Sequence, residues 1–257
     1  MRNSYKLLFI VCLLPLFSIA QNNYRPAIIV NLKGDTLSGF INYIDWVNNP
    51  KSVWFKNALS ENKVRLTPGD TRFFKVDAGQ LAEYIRYAGP LTMDNPDLDH
   101  LQIGRDSSVR LDTVFLKVLQ KGPKLVLLAY SDDLKTRYFI SGPSLNDPKE
   151  LIYRIYYNSN VANGLDRTVY ENTYKSQFYE AGVKANVMTA DLKNYIQKAD
   201  FNEMNMINIA SKINGISKAD ISKNSTARHS PVTKAIGIIA ALAVLIVLIN
   251  DFSNLHH

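Results

Sequence analysis

The residues that could do chemistry are few and poorly clustered: four histidines, one cysteine and 23 Asp or Glu in 257 residues. His100, His229, His256 and His257 form no paired ligand motif. His100 follows Asp97 and Asp99, the one place where a carboxylate can orient an imidazole, but a hydrolytic triad also needs a positioned nucleophile and an oxyanion hole. The stretch Asp94-Asn95-Pro96-Asp97-Leu98-Asp99-His100 offers oxygen ligands suited to calcium. It lacks the alternating positions and closing glutamate of an EF-hand loop, so a solvated acidic loop is the plainer reading. There is no G-x-S-x-G elbow, Walker loop, dinucleotide fingerprint or H-E-x-x-H pair. An enzyme is therefore disfavoured. A carboxylate-dependent hydrolase assembled from distant Asp and Glu is the enzymatic alternative, and neither cofactor nor metal is expected.

Aromatic residues carry the second kind of chemistry. Fourteen tyrosines are present, with Tyr153, Tyr156 and Tyr157 close together and Tyr170, Tyr174 and Tyr179 after them. With Trp54, the first three are candidate ligand-binding residues for a glycan or peptide. Aromatic rings are also good strand formers with a polar tip for the surface, and that packing reading stands beside the binding one. Met188, Met204 and Met206 suggest either an adaptable partner surface or ordinary helix packing.

The elements that must position these residues are mainly β, with α-helices towards the C-terminus. Residues 25–32 and 36–43 flank Lys33-Gly34-Asp35 and read as a hairpin. Residues 52–56 (SVWFK) alternate, turning Val53 and Phe55 inward and Trp54 outward. Thr67-Pro68-Gly69-Asp70 is a turn before a strand at 71–76. Residues 80–88 fit strand and helix templates equally, and 89–106 read as irregular. The strongest β signal is an antiparallel meander of residues 112–119, 124–130 and 136–140, with a further strand at 151–157, for which a helix is the alternative. Beyond Asn158 the pattern turns helical. Met188, Leu192, Tyr195 and Ile196 recur at helical spacing. A second helix has Asn202 as N-cap, Phe201 as staple onto Met206, an apolar stripe of Met206, Ile209, Ala210 and Ile213, and Gly215 as C-terminal cap. The expected fold class is α+β: an antiparallel sheet or partly open barrel, C-terminal helices, and then a membrane-type helix.

Both ends of the chain carry address signals. Arg2 and Lys6 precede an apolar region at 7–17, and Ser18-Ile19-Ala20 supplies small residues for cleavage before Gln21. This reads as a secretory signal peptide, with an uncleaved anchor as the alternative. Cys12 lies inside it, so the mature chain has no disulfide, thiolate ligand or cysteine nucleophile. Near the other end, residues 235–249 (AIGIIAALAVLIVLI) contain no charged side chain. They span roughly 22 Å against a hydrocarbon core of about 30 Å, and extension back through Val232 lengthens the span. Lys234 can snorkel to the interface, and Gly237 and Ala241 form a small-xxx-small pair suited to helix packing.

The formal charge of +7 falls by two when Arg2 and Lys6 leave. For an exported protein an anionic envelope surface suits this charge better than nucleic acid, which is not expected as a partner. The expected organisation is a signal peptide at 1–20, a β-rich domain at 21–158, a helical extension at 159–215, a linker at 216–232, a transmembrane helix at 233–250 and a short tail at 251–257. Lys212, Lys218, Lys223, Arg228 and Lys234 precede the apolar run, placing positive charge on the outer side against the usual bias. A single-pass inner-membrane anchor with a periplasmic domain is the simplest topology, with an interfacial helix or outer-membrane association as alternatives.

The stretches Leu32-Lys33-Gly34-Asp35-Thr36-Leu37, Gly39-Phe40-Ile41, Trp46, Asn49-Pro50-Lys51-Ser52-Val53-Trp54-Phe55-Lys56, Thr67-Pro68-Gly69-Asp70, Asp112-Thr113-Val114-Phe115-Leu116-Lys117 and Tyr174-Lys175-Ser176-Gln177 together resemble a family of secreted proteins from the Bacteroidota. The likeness is patchy over about residues 22–215. Some longer members of that family carry a C-terminal outer-membrane β-barrel, and the expected elements after residue 215 do not supply the strands of one. The resemblance implies that Asp35-Thr36-Leu37 and Asp112-Thr113-Val114 are Asp-Thr-apolar acceptors for O-linked sugar, against a structural role for both threonines.

These features together lead to a non-enzymatic cell-envelope protein for anchoring or assembly. Its expected partners are membrane lipid, an envelope protein or a second copy of itself. An envelope glycan- or peptide-binding module is the second reading, and an envelope hydrolase the third.

Overall fold

The computed structural model describes residues 23–160 and 167–216. Ten strands form one antiparallel sheet. In chain order they are β1 Tyr24–Asn31, β2 Thr36–Asn42, β3 Val53–Lys56, β4 Val64–Leu66, β5 Thr71–Asp77, β6 Leu81–Thr92, β7 Val109–Lys121, β8 Val126–Ser131, β9 Thr136–Ser141 and β10 Lys149–Glu150. Their spatial order is β10-β9-β8-β7-β6-β5-β1-β2-β3-β4. Thus β1 inserts between β2 and β5, and every other neighbour is consecutive in sequence. A second sheet pairs β11 Arg154–Tyr157 with β12 Thr168–Glu171. Three helices follow: α1 Thr173–Lys184, α2 Ala190–Lys198 and α3 Glu203–Asn214.

Local chemistry explains the pairings. Gly34, at φ +94°, supplies the left-handed residue of the β1–β2 turn, and Asn31 Oδ1 accepts from Asp35 N at 2.9 Å across it. Gly39 lets β3 approach β2, because an added Cβ would lie 2.3 Å from Lys56 O and 2.6 Å from the Phe55 ring. The continuous apolar run in β8 is buried on both faces, as period-two alternation against cover on each side requires. Leu125, Leu127 and Ala129 enter a core shared with the helices, while Val126, Leu128 and Tyr130 enter a core on the other face with Leu91, Leu116 and Phe139.

A third core lies under β1–β7 around Ile29, Ile41, Phe55, Phe74, Tyr84 and Phe115. Phe74 stacks on Tyr84 at 4.7 Å and meets Phe115 edge-on at 4.9 Å, geometries that each contribute about 1 kcal/mol beyond area burial. The helices close the remaining core with Tyr174, Phe178, Leu192, Ile196, Met206, Ile209 and Ile213. Asn202 Oδ1 accepts from Asn205 N at 2.9 Å and Gly215 takes φ +72°, the two caps expected of α3.

The α+β class and the antiparallel meander stand as expected, and between sheet and partly open barrel the outcome is an open sheet. Edges remain at β10 and β4. The end of β6 is tied to β9 and β10 by side chains, since Arg137 Nε donates to Thr92 O at 2.8 Å and Glu150 Oε2 accepts from Thr92 N at 3.0 Å. Residues 80–88, open between strand and helix, are strand from Leu81 onward, and the irregular reading of 89–106 needs correction, because β6 continues through Gly89-Pro90 to Thr92. Pro90 sits exposed opposite Leu111, where its missing N–H is tolerated. Residues 151–157 are not one strand, because the chain leaves β10 before Arg154 starts the second sheet. β11 and β12 pair with each other from either side of residue 158. Among the described residues no helix is long and apolar enough to cross a membrane. The signal peptide, Lys234, Gly237, Ala241 and the apolar run at 235–249 lie outside the described residues.

Candidate functional site

The densest ionisable cluster lies where the 93–108 connection, β9 and the small sheet meet. Lys135 Nζ is 2.7 Å from Asp94 Oδ1, and Arg154 Nε is 3.5 Å from the same oxygen. Arg154 Nη1 also contacts both oxygens of Glu171 at 3.2 Å, and Arg105 grips Glu171 from outside through Nε at 2.8 Å and Nη2 at 2.9 Å. Beside this chain, Arg137 Nη1 pairs with Asp132 Oδ2 at 3.0 Å, and Thr92 Oγ1 bonds Glu150 Oε1. Asp94, Arg137 and Arg154 are buried.

Strands and strand ends place Arg137, Arg154 and Glu171, and the 93–108 connection places Asp94 and Arg105. Arg154 opens β11, and Glu171 lies opposite it at the end of β12. Arg137 lies opposite Tyr130 in β8, with its guanidinium 5.8 Å from the Tyr130 ring centre. The 93–108 connection is held against β11 by its backbone, because Gly104 N donates to Tyr157 O at 2.8 Å and Tyr157 N to Gln102 O at 2.9 Å.

The electrostatics are those of a tether. Burial pulls the Lys135 ammonium below its ordinary range, against the stabilising pull of Asp94. Arg105, as hydrogen-bond donor, holds Glu171 low, with Arg154 adding to it. Burial would raise Asp132, but the N–H groups of Lys135 and Leu134 and the Arg137 guanidinium outweigh it and keep that carboxyl low. Asp94 Oδ2 and Arg154 Nε find no protein hydrogen-bond partner. Both residues line a cavity of about 10 Å³ with Gln102, Asp106 and Tyr156, room for about one water. Buried pairs of this kind fix an arrangement more than they add net stability.

The sequence candidates go to different surroundings. Asp97 and His100 form an exposed pair, Nδ1 to Oδ2 at 2.8 Å, across one 3₁₀ turn at Leu98–His100. Asp94, four residues before that turn, is committed to Lys135 and Arg154. Among the described residues no group of three His, Cys, Asp or Glu could hold a metal. Tyr153 stacks on Phe201 at 4.7 Å and 18° and packs against the helix core. Tyr156 and Tyr157 are half-buried on β11, the Tyr157 ring lying 4.8 Å from the Arg167 guanidinium. Trp54 points out of β3, 38% exposed, with Lys63 Nζ 4.5 Å from its ring centre. The candidate rings therefore do not form one patch.

Sequence reasoning missed Arg105, Lys135, Arg137, Arg154 and Glu171. The available signal was an arginine inside each apolar strand run, YRIYY and TRYFI, where a charge is retained only if it is paired. A shallow concavity of about 520 Å³ lies along the β6–β7 hairpin, lined by Ala88, Gly89, Leu111, Asp112 and Thr113. Leu111 there is 80% exposed, and Thr113, like Thr36, is exposed. No protein-family model, curated protein or solved structure matches the chain.

Proposed function

We propose that this chain is a non-enzymatic cell-envelope protein that presents its β-rich domain in the periplasm and serves in anchoring or assembly. The observation that carries this reading is how the buried and half-buried ionisable groups are used. Asp94, Lys135, Arg154 and Glu171 are occupied with one another and Arg137 with Asp132, and these pairs tie separate elements together. What faces outward on the sheet is contact chemistry: Leu111 and Val109 on β7, and Trp54 on β3 with Lys63 over its ring. The signal-like N-terminus and the apolar run at 235–249 supply the address.

The test is protease accessibility of tags placed after Gln21 and after His257, in intact cells, spheroplasts and lysates, with inner and outer membranes separated. An N-terminal tag exposed in spheroplasts and a chain in the membrane fraction are expected. Recovery as a cytoplasmic, detergent-independent monomer refutes the reading. A glycan- or peptide-binding module is the second reading, favoured by the exposure of Trp54. It requires soluble envelope fragments to change the fluorescence that distinguishes wild type from W54F.

A further inference from the structure

The sheet register gathers one set of side chains on the outer face of β1–β4. Trp54 on β3 lies opposite Arg65 on β4, Lys56 on β3 opposite Phe40 on β2, and Phe40 opposite Pro26 on β1. Residues alternate across a strand, so these point away from the core that holds Val53, Phe55, Ile41 and Ala27. Two ammonium groups are held over rings: Lys63 Nζ 4.5 Å from the centre of Trp54, and Lys56 Nζ 5.1 Å from the centre of Tyr24. Lys56 Nζ donates to Leu59 O at 2.9 Å and Arg65 Nε to Ser52 Oγ at 2.9 Å. Among the described residues neither these two cations nor Lys63 forms an ion pair. The span from residue 24 to residue 66 carries six Lys or Arg against three Asp or Glu. Of the neighbouring acids, Glu83 is paired with Lys121 at 3.4 Å, and Glu61 accepts from Asn57.

We propose that this outer face of β1–β4 docks on an anionic lipid surface, with Lys56, Lys63 and Arg65 meeting headgroup phosphates and Trp54 entering the interfacial layer. Charge complementarity selects an anionic partner, since three cations outside any ion pair, in a span with six Lys or Arg against three Asp or Glu, give this face an excess of positive charge. The placement of the cations selects lipid over an acidic glycan. A sugar would stack on the faces of Trp54 and Tyr24, and an ammonium group already lies over each of those rings. A headgroup layer instead accepts rings and cations side by side, as Trp, Tyr, Lys and Arg are at membrane interfaces. The proposal rests on the envelope reading, in which an apolar C-terminal segment keeps the domain at a bilayer and raises the effective concentration for a weak second contact.

The test uses the full chain reconstituted into vesicles of phosphatidylcholine alone, or with about one-third phosphatidylglycerol, each carrying a brominated lipid that quenches indoles at the interface. The contribution of Trp54 is isolated by difference from W54F. At least a twofold greater quenching of Trp54 in anionic vesicles at low salt is expected, lost at molar salt. The K56E/K63E/R65E variant should lose the difference. K63E alone changes only an exposed side chain beside Trp54, spares the fold, and should reduce it by about half. Equal quenching in neutral and anionic vesicles overturns the proposal, as does displacement of the quenching by a soluble acidic polysaccharide, which would assign the face to glycan. If the tag assay places the chain in the envelope and the vesicles show no lipid preference, only the role of this face fails. Cytoplasmic recovery in the tag assay removes the envelope reading itself.

Discussion

Asn49 pairs with Ser131 as if it were a residue of a neighbouring strand. Its backbone N donates to Ser131 O at 2.8 Å and its Oδ1 accepts from Ser131 N at 3.0 Å. The same side chain donates through Nδ2 to Phe115 O at 2.7 Å and Ala129 O at 3.1 Å. The register between β7 and β8 runs from Lys121↔Val126 to Lys117↔Ala129, and Asn49 fills the gap where the strands part. Backbone groups left unpaired in such a place cost about 1–3 kcal/mol each. N49A is therefore expected to destabilise the fold by about 2–4 kcal/mol in urea unfolding. N49D should be at least as damaging at neutral pH, because a carboxylate would face two carbonyl oxygens. A loss under about 0.5 kcal/mol for N49A would remove this role.

Asn214, the last residue of α3, does for the β7–β8 hairpin what Asn49 does for its open end. Its Oδ1 accepts from Lys124 N and Leu125 N, both at 2.9 Å, and its Nδ2 donates to Leu125 O and Gln120 Oε1. Gly122 leaves room for it, since a Cβ there would fall 2.1 Å from Asn214 Cγ. G122A and N214A should each cost about 2–4 kcal/mol. The double variant should cost clearly less than their sum, because removing the amide also removes the clash. Strict additivity in a double-mutant cycle would show that the contact does not govern the tolerance of position 122.

The contrast between these two asparagines and the helices shows what local sequence can express. The meander was legible because alternation and turn residues are local signals, and α3 because Asn202 and Gly215 mark its ends. Helix α1 was not. Its buried stripe is Tyr174, Phe178 and Gly182, and a glycine reads as a breaker although here it makes room for Met188, whose Cε lies 2.4 Å from an added Cβ. The ionic cluster was illegible for another reason. Arg137 shows as a charge among apolar neighbours, but its acceptor Thr92 lies 45 residues away, and the partners of Arg154 come from the 93–108 connection and β12. Only the folded register brings them together.

The same cluster sets an acid response. Glu171 is held below its ordinary pKa, first by the hydrogen bond from Arg105. Its contribution to stability is thus fully present above the unfolded carboxylate value of about 4.3 and is lost as pH falls through the lower folded value. E171Q should flatten the fall of stability with pH below about 4.3 relative to wild type, measured as urea midpoints across that range. Identical pH profiles for the two proteins would contradict the linkage. D94A removes the carboxylate that Lys135 and Arg154 share. It leaves buried Arg154 and the largely covered Lys135 ammonium without that partner and should cost about 3–5 kcal/mol at neutral pH.

Trp54 and Phe201 separate a surface ring from a structural one. Phe201 stacks on Tyr153 at 4.7 Å and meets Tyr138 and Tyr174 edge-on at 5.2 and 5.0 Å, joining the sheet, the chain before β11, and the start of the helices. Truncating such a ring removes its buried area and three aromatic contacts, so F201A should destabilise by about 3–5 kcal/mol. Trp54 is 38% exposed and its ring meets Lys63 on the outer face, so W54A should change stability by less than about 1 kcal/mol. The sheet would then keep a large aromatic residue on its outer face without needing it to fold, which leaves contact with a partner as its use. A stability loss for W54A as large as that for F201A would make Trp54 a packing residue and withdraw it from any binding role.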